Sequence, residues 1–204
     1  AIDLLINNAG IYPNAAFGSL DYDAWHKAFL INTMAPAKTL ECFVEHLAAS
    51  RLRKVATLSS KMGSIADNGS GGSTLYRSSK AALNMVMKSL AIELRHLGIA
   101  TCTLHPGWVK TDMGGANALI TAEQSVAGMR QVIDRLTAQN SGRFTGYDGQ
   151  RIVEAGQFEL QLGASSADIR LRKMVEVSGK AANEARRLRR DWRMFSQCES
   201  KAVG

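Results

Sequence analysis

Tyr76 and Lys80 stand four residues apart in Tyr76-Arg77-Ser78-Ser79-Lys80. On a helix that spacing puts both side chains on one face. A tyrosine hydroxyl, with an ordinary pKa of about 10, is a poor proton donor or acceptor at neutral pH. A neighbouring ammonium favours the phenolate and makes the group usable for general acid–base work. Ser60 closes an apolar segment just upstream and can offer a hydroxyl to a substrate oxygen. Alone, Tyr-x-x-x-Lys is an ordinary exposed pair, so its weight depends on its surroundings. Other polar groups carry less. His26, His46, His96 and His105 lack metal-like spacing, and His105 beside Pro106 reads as structural. Gly69-Ser70-Gly71-Gly72 lacks the Lys-Ser/Thr of a phosphate-binding turn and reads as a surface loop.

The elements that must carry these residues alternate along the first 150 positions. Residues 4–6 read as a buried strand closed by Asn7-Asn8-Ala9-Gly10. A helical pattern runs from 21 to about 49, with Pro36 marking a kink. Residues 54–58 form a second strand ending in Ser59-Ser60, followed by a Gly/Ser/Asn-rich loop over 63–74. Leu83, Val86, Leu90, Leu94 and Leu97 make one apolar stripe, which predicts a helix over 75–97 that Gly98 stops. A third strand at 99–104 breaks at Pro106-Gly107. A helix capped by Thr121 spans 121–137, and a short strand occupies 142–145. Strands alternating with helices of this length predict an α/β fold, a parallel sheet covered on both faces. The carboxyl ends of such strands are where sites form, and Ser60 falls at one of them.

Composition sets the outer limits. The 204 residues are 46% hydrophobic and 21% charged, which fits a globular protein and excludes a disordered or fibrous chain. No apolar run approaches the roughly 20 residues of a membrane span. Cys42, Cys102 and Cys198 are odd in number and widely spaced, so they read as reduced thiols in a cytoplasmic protein. The chain opens directly on a buried-strand pattern without Met, which reads as a fragment. Of the net charge of +7, residues 151–204 carry +4, with 11 basic and 7 acidic side chains. After residue 150 the strand–helix rhythm lapses, and 151–166 show no clear period. Ala181, Ala185, Leu188, Trp192 and Phe195 then predict an amphipathic helix over 180–195 with an arginine-rich outer surface. The chain therefore divides into residues 1–150 and a basic extension, 151–204. That surface suggests nucleic-acid or anionic-membrane binding by charge alone, and a solvated basic face is the favoured reading.

Five motifs occur in order: Asn7-Asn8-Ala9-Gly10, Asn32, Ser59-Ser60, Tyr76-x-x-x-Lys80 and Pro106-Gly107-x-Val109-x-Thr111. Together, over residues 1–150, they resemble the short-chain dehydrogenase/reductase family. The stretches Gly63-Ser64-Ile65-Ala66-Asp67-Asn68 and His105-Pro106-Gly107-Trp108-Val109-Lys110-Thr111-Asp112-Met113 are similar to its C-factor/sniffer carbonyl reductase branch. The resemblance implies a Rossmann-type doubly wound sheet, of which this chain keeps strands four to seven. It also implies an NAD(P)-dependent oxidoreductase acting on an aldehyde, ketone or matching alcohol, and a homo-oligomer when complete. Tyr76 would protonate the carbonyl, Lys80 would lower the Tyr76 pKa and hold the nicotinamide ribose, Ser60 would orient the substrate, and Asn32 would support a proton relay. Asn7, Ala9, Gly10, Pro106, Gly107, Val109 and Thr111 would lie along the cofactor. The family's glycine-rich pyrophosphate turn, Thr-Gly-x-x-x-Gly-x-Gly, does not occur in these 204 residues. The branch suggests NADP, with NAD possible, because the discriminating residue belongs to that absent part. The alternative reading is a non-catalytic, family-derived domain acting through a protein interface.

Overall fold

The structure, a computed structural model, describes residues 1–153, 156–163 and 169–177. The chain divides into two units, Ala1–Ile152 and Val153–Gly204. In the first, four strands form one parallel sheet in sequence order: β1 (Leu4–Asn7), β2 (Lys54–Leu58), β3 (Ala100–His105) and β4 (Arg143–Gly146). The alternation of side chains along each strand feeds two cores. Val55 points to one face with Ile99, and Ala56 to the other with Cys102 and Leu104.

On the first face pack α1 (Tyr22–Phe29), α2 (Ala35–Ala48) and α3 (Thr74–Glu93). Leu40 and Leu47 of α2 meet Leu83 and Met87 of α3 there, with exposures no higher than 1%. Each such side chain contributes about 1.5–3 kcal/mol through its removal from water. The predicted stripe on α3 is rotated slightly. Leu83, Met87 and Ala91 lie deepest, while Leu90, Leu94 and Leu97 pack partly buried at the margin. A 3-10 turn, Leu94–Leu97, finishes the helix at Gly98, whose φ of 71° is left-handed, as its place at the C-terminus requires. On the opposite face lies α4 (Ala122–Asp134), which brings Met129, Val132 and Ile133 against the second core. Thr121 and Gln124 close it with reciprocal side-chain bonds to the backbone.

The kink expected near Pro36 falls slightly earlier. Residues Leu30–Met34 form a π-helical stretch between α1 and α2, and Pro36 opens the second helix. A wider turn accommodates one extra residue, and such bulges commonly mark functional sites.

In the second unit, the described part of the stretch read as having no clear period, 151–166, departs from expectation. β5 (Gly156–Gly163) pairs antiparallel with β6 (Ile169–Val177). The signal was present as alternation, Phe158, Leu160 and Leu162 against Gln157, Glu159 and Gln161, over too few residues to register beside the flanking glycines. The helix expected over 180–195 lies outside the described residues. Among the described residues, no helix is long and apolar enough to cross a membrane, and no cluster of three or more potential metal ligands occurs.

Candidate active site

Tyr76 sits in the first turn of α3 and Lys80 one turn on, both buried, at 8% and 4% exposure. The Lys80 Nζ lies 5.9 Å from the centre of the Tyr76 ring. Burial pushes the Tyr76 phenol above its ordinary pKa, and the hydrogen-bonded Ser60 side chain pulls it the other way. Burial also lowers the Lys80 ammonium to about 8. Lys80 Nζ donates to the carbonyl of Leu58 at 3.0 Å, at the end of β2.

The helix carrying this pair is fastened by polar ties to the π-helical stretch. Asn32 is fully buried; its Nδ2 donates to Ser79 Oγ at 2.9 Å, and Ser79 Oγ donates to the Tyr76 carbonyl at 2.8 Å. Thr33 Oγ1 donates to the Ser79 carbonyl at 2.8 Å. Asn32 also grips the chain after β1, accepting from Ile11 N at 2.8 Å and donating to Ile11 O at 2.9 Å. Its side chain is thus spent on architecture. Trp25 of α1 adds a bond from its indole N–H to Ser78 Oγ at 2.8 Å. On the other side, Gly63 presses on the helix backbone: a Cβ there would lie 2.7 Å from the Lys80 carbonyl carbon.

A cavity of about 460 Å³ opens at the carboxyl ends of the strands. Tyr76 and Lys80 line it together with Ala9, Gly10, Pro106, Val109 and Thr111. Four other sequence-derived candidates sit behind the wall. Asn7 donates from Nδ2 to Thr57 Oγ1 at 3.1 Å, Asn32 is enclosed as described, and Gly107 lies against Ile120 and Tyr147. Ser60 meets Tyr76 but also receives the Met62 N–H at 3.2 Å, which closes the 3-10 turn Lys61–Gly63.

Sequence reasoning missed three contributors. Met113 and the inner face of α4, notably Val126 and Met129, line the cavity and make one side of it apolar. Tyr12 packs on Tyr76 with ring centres 4.5 Å apart. The α4 residues were legible only as helix, whereas an aromatic two positions after Asn-Asn-Ala-Gly was the one available sign of Tyr12.

The cavity suits the nicotinamide end of a dinucleotide. Gly10 supplies the test: a Cβ on it would stand 3.3 Å from Asn32 Oδ1 and 3.5 Å from Lys80 Nζ, narrowing the space beside the ammonium. A bare backbone, an ammonium and a phenol around one opening can hold a ribose and present a proton to a carbonyl oxygen.

The short chain dehydrogenase profile matches residues 1–121, and the chain belongs to that family. It is 45% identical over 152 residues to the C-signal of Myxococcus xanthus, covering 74% of this chain and 92% of that one. It is 40% identical to 1-hydroxy-2-glutathionyl-2-methyl-3-butene dehydrogenase of Rhodococcus sp. (strain AD45), over 72% of this chain. Two solved structures superpose with TM-scores of 0.71 at 34% identity, the NADPH-bound carbonyl reductase from chicken fatty liver and the carbonyl reductase Sniffer of D. melanogaster. Each covers 74% of this chain. The chain spans 66% of the Rhodococcus enzyme's length and 66% and 65% of the two reductases.

Proposed function

We propose that this chain carries the catalytic part of an NAD(P)-dependent carbonyl reductase that interconverts an aldehyde or ketone with its alcohol. The observation that carries the reading is the burial of Tyr76 and Lys80 in one cavity with Ser60 bonded to the phenol. A nicotinamide, when bound, supplies or accepts the hydride. Gly10, Val109, Thr111 and Lys80 would hold it, with the similarity to NADPH-bound reductases favouring NADP over NAD.

The chain's own residues then handle the oxygen and its proton. A carbonyl oxygen set in the cavity would meet Tyr76, with Ser60, hydrogen-bonded to the phenol from behind it, helping to orient it. Tyr76, protonated at neutral pH as a tyrosine is and pushed further that way by burial, delivers the proton as negative charge grows on that oxygen. Lys80 replenishes it. The onward path runs past Asn32, whose carbonyl Pro36, lacking an N–H, cannot engage from four residues ahead. The apolar side formed by Met113, Val126 and Met129 favours a substrate with an apolar body. Homo-oligomerisation belongs to the same reading, and the exposed Met34, Met85 and Ile92 on α3 and its neighbouring π-helical stretch support it.

The test is NADPH-dependent reduction of a panel of aldehydes and ketones by the protein. Tyr76→Phe is expected to lower turnover by about two orders of magnitude or more while leaving NADPH affinity nearly unchanged, since only the proton donor is lost. Near-normal turnover in that variant would overturn the assignment. Because these 204 residues contain no glycine-rich pyrophosphate turn, the chain alone is expected to bind NADPH and NADH weakly. Calorimetry giving low-micromolar affinity would contradict that.

A further inference from the structure

Tyr12 has no place in the reading above, yet it touches the residue on which that reading turns. It lies in the irregular stretch between β1 and α1, two residues past Gly10. Its ring meets the Tyr76 ring at 4.5 Å between centres and 58° between planes, a tilted arrangement favourable for aromatic pairs. Its hydroxyl shares a hydrogen bond of 2.6 Å with Ser73 Oγ. Ser73 is the N-cap of α3 and holds a left-handed backbone, φ 46° and ψ 37°, which is strained for a residue with a side chain. Such strain persists where surrounding contacts over-determine it. Here the Tyr12 hydroxyl holds the side chain while the Ser73 carbonyl accepts the Arg77 N–H at 2.9 Å, and Ser73 caps no helical N–H with its own side chain.

The base of Tyr12 is fixed as firmly as its tip. Asn32 binds both backbone groups of the preceding residue, Ile11, and the same Asn32 is tied through Ser79 to the Tyr76 carbonyl. Tyr12 therefore spans a closed frame. One end is anchored to the π-helical stretch, the other to the N-cap of the catalytic helix, and the ring between them leans on the proton donor. Free rotation of the Tyr76 ring would break this packing.

We propose that Tyr12, tethered by Ser73, is a positioning residue that fixes the Tyr76 ring and shields it from water. The proposal rests on the reading of Tyr76 as the proton donor, and its test is independent of turnover. Ser60 by hydrogen bond, Lys80 from one turn along α3, and Tyr12 face the Tyr76 phenol or ring. Of these, Tyr12 packs a ring against it from outside α3.

The chain holds four tyrosines, so 13C labelling at the ring Cζ gives four resonances, and Tyr76→Phe assigns the one that matters. In the 204-residue chain that resonance is expected to titrate above the ordinary tyrosine range. In Tyr12→Ala it should titrate closer to the ordinary value and broaden, because the ring gains water and freedom. Tyr12→Phe keeps the ring contact and loses the tether. It should preserve most of the pKa displacement while broadening the line, and Ser73→Ala should behave in the same way. Circular dichroism establishes that each variant is folded; Tyr12 is 39% exposed, so none removes a core residue. An unchanged Tyr76 titration and line shape in Tyr12→Ala would overturn the proposal. Turnover surviving in Tyr76→Phe would instead overturn the functional reading, and the resonance data would still decide the role of Tyr12.

Discussion

In the proposed reaction Tyr76 enters as an acid. Its phenol is held above the ordinary range by burial, and at neutral pH it carries the proton that carbonyl reduction consumes. The reverse reaction needs the phenolate, so alcohol oxidation is expected to gain on reduction as pH rises, which initial rates in both directions across the alkaline range would measure. Beside the site, His105 behaves in the opposite manner. Burial, with the Lys61 charge adding to it, lowers its pKa from 6.5 to about 4, against the smaller pull of Asp148 and Asp67. Its Nδ1 is buried and has no partner among the described residues. Between those two values His105 is neutral when folded and protonated when unfolded. The unfolded chain therefore binds more protons, and stability falls as pH drops through that window. His105→Asn is expected to flatten this acid limb. Urea midpoints across the window check it, and a slope equal to that of the unmodified chain would rule it out. The sequence pointed to the structural character of His105 through its neighbour Pro106. Its depressed pKa was not legible, because Lys61 and Asp148 reach it only after the chain has folded.

The elements around the site are held by close approach as much as by apolar packing. The turn Lys61–Gly63 brings Gly63 against the backbone of α3 between Lys80 and Ala81. Gly63→Ala must push that helix outward, at a cost of about 1–3 kcal/mol as for an overpacked core. Carbonyl reduction should fall with it, since Tyr76 and Lys80 ride on the displaced helix. Thermal denaturation and turnover measured together are the check, and unchanged values for both would mean that the turn yields instead. Thr121→Ala makes the contrasting case: it removes the cap of α4 and should cost about 1 kcal/mol without moving α3. The strand at 54–58 and the helix bearing Tyr76 were plain from periodicity and stop signals. The π-helical stretch was not, because a widened turn depends on what packs against it. Pro36 marked the disturbance, but only the ties from Asn32 and Thr33 to α3 put it at Leu30–Met34.

For the molecule as a whole, the sheet order leaves β1 paired on one side only among the described strands. Leu4 and Ile6 are 37% and 50% exposed along it, with neither lysine nor proline to blunt the edge. The 204-residue chain is therefore expected to associate through this strand. Ile6→Lys should shift it toward monomer in sedimentation velocity, and an unmodified chain that sediments as a clean monomer would count against the idea. Every neighbouring pair in this sheet is also parallel, and each return passes through a full helical crossover. The Asn7–Thr57 bond joins residues 50 apart, and no hairpin shortens any of these loops. During synthesis the pairing of β1 with β2 must thus wait until some fifty further residues have left the ribosome. Refolding should accordingly be slow, with its rate governed by the closure of long loops.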